Sequence, residues 1–136
     1  MEKSFFDEIS AFFARLPDAS SFRESERRED PQSFGNAYVV HEAPQIKLRF
    51  VRDRDEIRIE IAAPRQTDWW TLDQLCEVLG KSVPGLDLQS NADALLRNYS
   101  EIVGALTAAT LPQTTKAIEA LARKKRDDLL ARFGKR

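Results

Sequence analysis

A chain of 136 residues, 42% hydrophobic and 32% charged, is one domain's worth of globular protein, long enough to bury roughly two thirds of the surface its unfolded form exposes. Its 21 Lys and Arg stand against 22 Asp and Glu, a formal net charge of −1, which counts against a surface built wholly for nucleic acid, while the apolar content excludes wholesale disorder. One cysteine, Cys76, and one histidine, His41, exclude a disulfide framework, a thiolate zinc cluster and a histidine metal site, and leave a Ser-His-Asp enzyme only if His41 alone carries it.

The N-terminus, Met1-Glu2-Lys3-Ser4-Phe5-Phe6-Asp7-Glu8, carries acids where a signal peptide is apolar, and no run approaches the roughly 20 apolar residues of a membrane span. The expectation is a cytoplasmic protein with no membrane partner. Phe5, Phe6, Ile9, Phe12, Phe13 and Leu16 recur at helical intervals and predict a first helix over 1–17, with Ser4 and Asp7 resembling a capping box and Pro17 as the stop. Four phenylalanines on one short helix require cover, which the following sheet supplies. Residues 18–33 hold Phe22 as their one large apolar side chain among many charges, and read as a polar connector.

From 34 to 63 the period becomes two. Ile46, Leu48 and Phe50 alternate with Lys47 and Arg49, and Ile57, Ile59 and Ile61 with Arg58 and Glu60, across a turn at Asp53-Arg54-Asp55, which predicts a hairpin with one apolar and one charged face. Ala37-Tyr38-Val39-Val40 adds a first strand, apolar on both faces, to make a three-stranded antiparallel meander. After a loop at 64–68, Thr71 and Gln74 form a capping box, Trp70 and Leu75 are placed as a hydrophobic staple, and Gly80 falls where helices end. A helix opening at Ser90 with Asp93 continues through Leu95, Leu96, Tyr99, Ile102, Val103 and Leu106. A last helix runs from Pro112 through Ile118, Leu121, Ala122, Leu129 and Phe133 to Gly134. The expected fold is a single α+β domain, the meander over 34–63 packed with the N-terminal helix and about three helices over 70–136.

Few side chains form a chemical constellation. Gly80-Lys81-Ser82 lacks the earlier glycine of a phosphate loop, where Leu75 stands, and ends a helix instead of opening one. His41 and Glu42 are adjacent on a strand and point to opposite faces, so the reading of His41 as a strand-end histidine outweighs that of an acid-base pair. Cys76 lies on the Leu72, Leu75, Leu79 stripe as a small hydrophobe. Asp53, Asp55 and Glu56 crowd a turn where Arg52 and Arg54 neutralise them, a poor setting for calcium or magnesium. No cofactor and no metal is expected.

Two features suit binding. If Trp70 staples the helix, Trp69 points elsewhere, and exposed tryptophans are enriched at binding hot spots; burial of both against the sheet edge is the competing reading. The segment from Gln113 to Arg136 carries +5 and the other 112 residues −6, so the net charge conceals a segregation. The basic helix either docks on the acidic body or meets an anionic partner such as nucleic acid through Lys124, Lys125 and Arg126.

Ser33-Phe34-Gly35-Asn36-Ala37-Tyr38-Val39-Val40-His41-Glu42, then Leu48-Arg49-Phe50-Val51-Arg52-Asp53-Arg54 and Ile57-Arg58-Ile59-Glu60-Ile61, followed by Trp69-Trp70-Thr71-Leu72-Asp73, resembles small bacterial proteins of the immunity-protein type encoded beside polymorphic toxins. The resemblance spans about residues 33–80 and is a pattern of hairpin and Trp-bearing helix. It implies a non-enzymatic inhibitor that binds a cognate toxin and blocks its active site; it carries over no binding residue. The expected contacts, read from the chain itself, are Tyr38, Glu60, Trp69 and Trp70, with nucleic-acid binding by the last helix and a small enzyme built on His41 as rival readings.

Overall fold

The computed structural model describes residues 5–16, 19–30 and 36–133. Helix α1 (Phe5–Phe13) precedes five strands, β1 (Arg23–Asp30), β2 (Asn36–Ala43), β3 (Ile46–Asp53), β4 (Glu56–Ala62) and β5 (Trp70–Thr71), then α2 (Leu72–Val78), α3 (Leu88–Gly104) and α4 (Leu111–Phe133). The strands form one antiparallel sheet in sequential order. The α+β class stands; the sheet has five strands where the sequence suggested three. Ser4, Pro17, Ser33 to Gly35, Gly134, Lys135 and Arg136, to which parts of the sequence reading attach, lie outside the described residues.

The larger correction concerns the connector. Its second half, Arg23-Glu24-Ser25-Glu26-Arg27-Arg28-Glu29-Asp30, is an edge strand paired to β2 along its length. Apolar alternation marks a strand that buries a face, whereas β1 is held by its backbone ladder. Strand β2 is interior and pairs on both edges, with β1 and with β3. Charged side chains suit an edge, where they discourage pairing with another chain. A bulge at Ser25 interrupts the ladder between Glu24 and Glu26.

Register assigns every side chain a face. On the inner face Ala37, Val39, Leu48, Phe50, Ile59 and Ile61 join one buried cluster with Ile9, Phe12 and Phe13 of α1, Leu72, Leu75 and Cys76 of α2, and Leu95 and Ile102 of α3. Phe50 is fully buried, with the rings of Phe12 and Phe13 at 5.6 and 5.5 Å. The helices thus cover one face of the sheet.

Local chemistry sets the helix ends. The Thr71 and Gln74 capping box forms in both directions, Gln74 N–H to Thr71 Oγ1 at 3.1 Å and Thr71 N–H to Gln74 Oε1 at 2.9 Å. Gly80, at φ 71°, closes α2: its N–H donates to the Glu77 carbonyl and that of Lys81 to the Cys76 carbonyl, the paired bonds of a left-handed helix terminus. The cap of α3 is Asp87, whose carboxylate accepts from Ser90 N–H at 2.7 Å, three residues before the Ser90 start that the sequence suggested. Those hydrogen bonds hold the Asp87 carboxyl below its ordinary pKa.

Asn91, 2% exposed, ties this helix to the sheet. Its Nδ2 lies 2.8 to 3.0 Å from the carbonyls of Ile57, Gly85 and Asp87, while Ile57 N–H donates to the Leu86 carbonyl. The 81–87 loop therefore seals the stretch of β4 that β5 is too short to reach.

Candidate functional site: the open face of the sheet

The residues of β1 to β4 that alternate with the core set point away from the helices. Val40 and Ala62 on this outer face are buried but stand apart from the main cluster. Their neighbours are long and polar: Glu26 and Arg28 of β1, Tyr38 of β2, Lys47 and Arg49 of β3, Arg58 and Glu60 of β4. Such side chains shield a sheet face with their own stems while keeping their charges in water.

Trp69 anchors one end. Trp70 pairs with Ile61 and is 8% exposed among core residues, so its neighbour is forced to the opposite face. The 63–66 turn shapes the approach: Ala63 N–H donates to Gln66 Oε1 at 3.0 Å, and Lys47 Nζ donates to the Gln66 carbonyl at 2.8 Å. The Trp69 ring lies under two cations, the Arg49 guanidinium carbon at 4.5 Å and Lys47 Nζ at 5.2 Å from its centroid. Contacts of this kind contribute about 0.5 to 1 kcal/mol at exposed sites.

Glu60 links this end to the middle of the face. Its carboxylate accepts from Arg49 Nε at 2.6 Å and from Arg58 Nε at 3.3 Å, and its side chain is only 12% exposed. One carboxylate holding two guanidinium groups fixes the cation that in turn lies on Trp69. Across the sheet the Tyr38 hydroxyl donates to the Glu26 carboxylate, a bond that raises the phenol's pKa and keeps it protonated. The face carries two partly exposed aromatic rings, each tied down by a charged neighbour.

Three of the four expected contacts, Tyr38, Glu60 and Trp69, therefore share this face. Trp70 does not: it is a core residue that orients Trp69. Sequence reasoning missed Arg49 as the bridge between Glu60 and Trp69, although it placed Arg49 and Glu60 on the charged face of the hairpin. The missing signal was the position of Trp69, which comes from a loop.

The other candidate residues lie elsewhere. His41 is on the inner face, its ring 4.1 Å from that of Phe13 and tilted by 30°; burial lowers its pKa, with Glu24 opposing. Glu42 points to the other side, as strand alternation requires. Cys76 is buried, and burial raises its thiol pKa. Lys81 Nζ pairs with Glu101 at 2.9 Å. Around the turn carboxylates of Asp53, Asp55 and Glu56, as elsewhere among the described residues, no group of three His, Cys, Asp or Glu is placed to hold a metal ion. An apolar hollow of about 430 Å³ between the β2–β3 turn and the α3–α4 corner is lined by Pro44, Pro64, Val103, Leu106 and Leu111, with Arg65 at its rim.

The basic helix is divided. Thr114 and Ile118 are buried, and Thr114 Oγ1 donates to the Ala105 carbonyl at 2.8 Å to fix the corner with α3. From Ala122 to Phe133 every residue is exposed. Lys125 pairs with Glu77 at 3.2 Å, a surface contact that ties the helix to α2, while Lys124 and Arg126 face solvent. No helix among the described residues is long and apolar enough to cross a membrane.

No known protein family matches the chain, and neither a curated protein nor a solved structure is similar to it.

Proposed function

We propose that this is a non-enzymatic protein-binding domain that uses the open sheet face, with Tyr38, Glu60 and Trp69 at the contact and Arg49 as their brace, in the manner of an immunity protein that covers the active site of a cognate toxin. The observation that carries the reading is the pair of aromatic rings held on a helix-free face by charged partners. Rings of this kind dominate interface energetics, and fixing them before binding lowers the entropy cost of docking. The −6 carried by residues 1–112 attracts a basic partner, as a nuclease toxin would be, at long range, while the open face itself sets Arg28, Lys47, Arg49 and Arg58 against Glu26 and Glu60. The resemblance over residues 33–80 implies an inhibitor of this kind and assigns it no surface.

Co-expression with the product of the adjacent gene tests the reading. The expected result is a complex that survives purification and suppresses toxicity, weakened at least about thirtyfold by Trp69→Ala, the loss typical of a central anchor. If nothing co-purifies and toxicity is unchanged, the reading fails. The rival reading places nucleic acid on Lys124, Lys125 and Arg126, which are accessible on α4. It requires binding that weakens steeply with salt and with neutralisation of those three residues.

A further inference from the structure

The distal half of α4 is exposed at every one of twelve successive residues, Ala122 to Phe133, and among the described residues its one ion pair with the body is that of Lys125 with Glu77. It ends in three large apolar side chains in water: Leu129, Leu130 and Phe133 are 54%, 61% and 71% exposed. Before and among them stand Arg123, Lys124, Lys125, Arg126 and Arg132, against Asp127 and Asp128 in the same stretch. At 100° per residue Ala122, Leu129, Leu130 and Phe133 fall within one sector of the helix, which also holds Arg126 one turn before Leu130, with Arg123 at one edge and Lys125 and Arg132 beyond the other. The segment is built from strong helix formers and extends a packed helix, so it avoids the cost of nucleation and remains helical in solvent.

We infer that this half of α4 is a docking element for an anionic lipid surface, lying in the plane of the headgroups with Leu129, Leu130 and Phe133 turned toward the acyl chains. Two properties select this occupant. Five basic side chains against two acids, set beside three exposed apolar ones, match the charge of an anionic leaflet and the layer beneath it. Nucleic acid would satisfy the cations but leave the leucines and the phenylalanine in water. A second copy of the helix, laid parallel, would set one Arg123-Lys124-Lys125-Arg126 run against another.

The test uses the full chain and two vesicle preparations, phosphatidylcholine alone and phosphatidylcholine mixed with phosphatidylglycerol, with binding read by co-sedimentation across a salt series. The expected result is binding to the mixed vesicles only, weakening as salt rises. Either the triple variant Leu129→Ser, Leu130→Ser, Phe133→Ser or the triple variant Lys124→Gln, Lys125→Gln, Arg126→Gln should reduce it at least about tenfold, since both apolar burial and surface charge contribute. Both sets are exposed, and circular dichroism melts check that the fold is retained. The inference is overturned by absence of binding to mixed vesicles, by equal binding to phosphatidylcholine alone, or by an apolar variant that binds like the parent. It is equally overturned if the parent instead binds an oligonucleotide in a manner blind to the apolar variant, or self-associates in sedimentation until Phe133 is replaced.

Discussion

The two faces of the sheet are made by alternate residues of the same strands and do different work. The inner face joins Leu48, Phe50, Ile59 and Ile61 to three helices, and each of these side chains is fully buried. The outer face carries Tyr38, Lys47, Arg49, Arg58 and Glu60, supported by one another and by a tryptophan from a loop. Burial of apolar area contributes far more than exposed ion pairs, each of which is worth about 0 to 1 kcal/mol. Stability is therefore concentrated on one face, and the other is free to vary in sequence without loss of the fold. That is a useful division for a protein whose surface must match a partner.

The division is broken most directly at Phe50, where rings from α1 meet the centre of the sheet. Phe50→Ala should cost about 3 to 5 kcal/mol in denaturant unfolding, the range for an aromatic removed from a packed core. A loss below about 1 kcal/mol would mean that the inner face collapses around the gap and is not the rigid side of the molecule. Asn91→Ala comes next. It leaves the Ile57 carbonyl without its side-chain donor and holds the 81–87 loop to β4 only by the Ile57–Leu86 backbone bond, at a cost of about 1 to 3 kcal/mol.

His41 gives the same comparison a pH dependence, because it is an ionisable group on the inner face. Burial against Phe13 lowers its pKa from the ordinary 6.5, so between that value and the folded one the unfolded chain binds more protons. Stability then falls as pH drops below about 6.5 and levels off below the folded pKa. The ring is half-buried, which keeps the slope shallow. Unfolding curves taken between pH 7.5 and 5 with His41→Phe as control should show the control losing that part of the slope; an unchanged slope would assign it to carboxylates.

What the sequence disclosed follows from where its patterns are strong. The alternation in β3 and β4 and the helical stripe of α1 report burial directly, and the Thr71 and Gln74 box and Gly80 mark helix ends through local chemistry. Of the candidate site, the split between Trp69 and Trp70 was legible because the capping box fixes Trp70 just before α2 and strand geometry reverses its neighbour. Strand β1 was not legible, since Arg23 to Asp30 contains no apolar residue and owes its place to the open edge of β2. The exposure of Leu129 and Phe133 was hidden too: they continue the stripe of Ile118 in sequence, but at 23 residues α4 is about 35 Å long and outruns the body it packs on. Periodicity states which residues share a side of a helix, and the size of the neighbouring elements decides how far that side is covered.

On the outer face the same substitution strategy should give small changes in stability and large ones in recognition. Trp69→Ala removes a ring held by Arg49 and Lys47, and its effect on unfolding should stay within about 1 kcal/mol while partner affinity falls as described above. Smaller still is the expected response of the edge. Arg23→Thr with Arg28→Thr keeps the backbone ladder of β1 with β2 and should alter unfolding by no more than about 0.5 kcal/mol. Light scattering should stay flat with time and concentration, because Glu24, Glu26, Arg27, Glu29 and Asp30 still charge this edge against another strand. A stability loss above about 2 kcal/mol would show that side chains, and not the ladder, hold β1 in the sheet. It would also move this strand from the variable side of the comparison to the structural one.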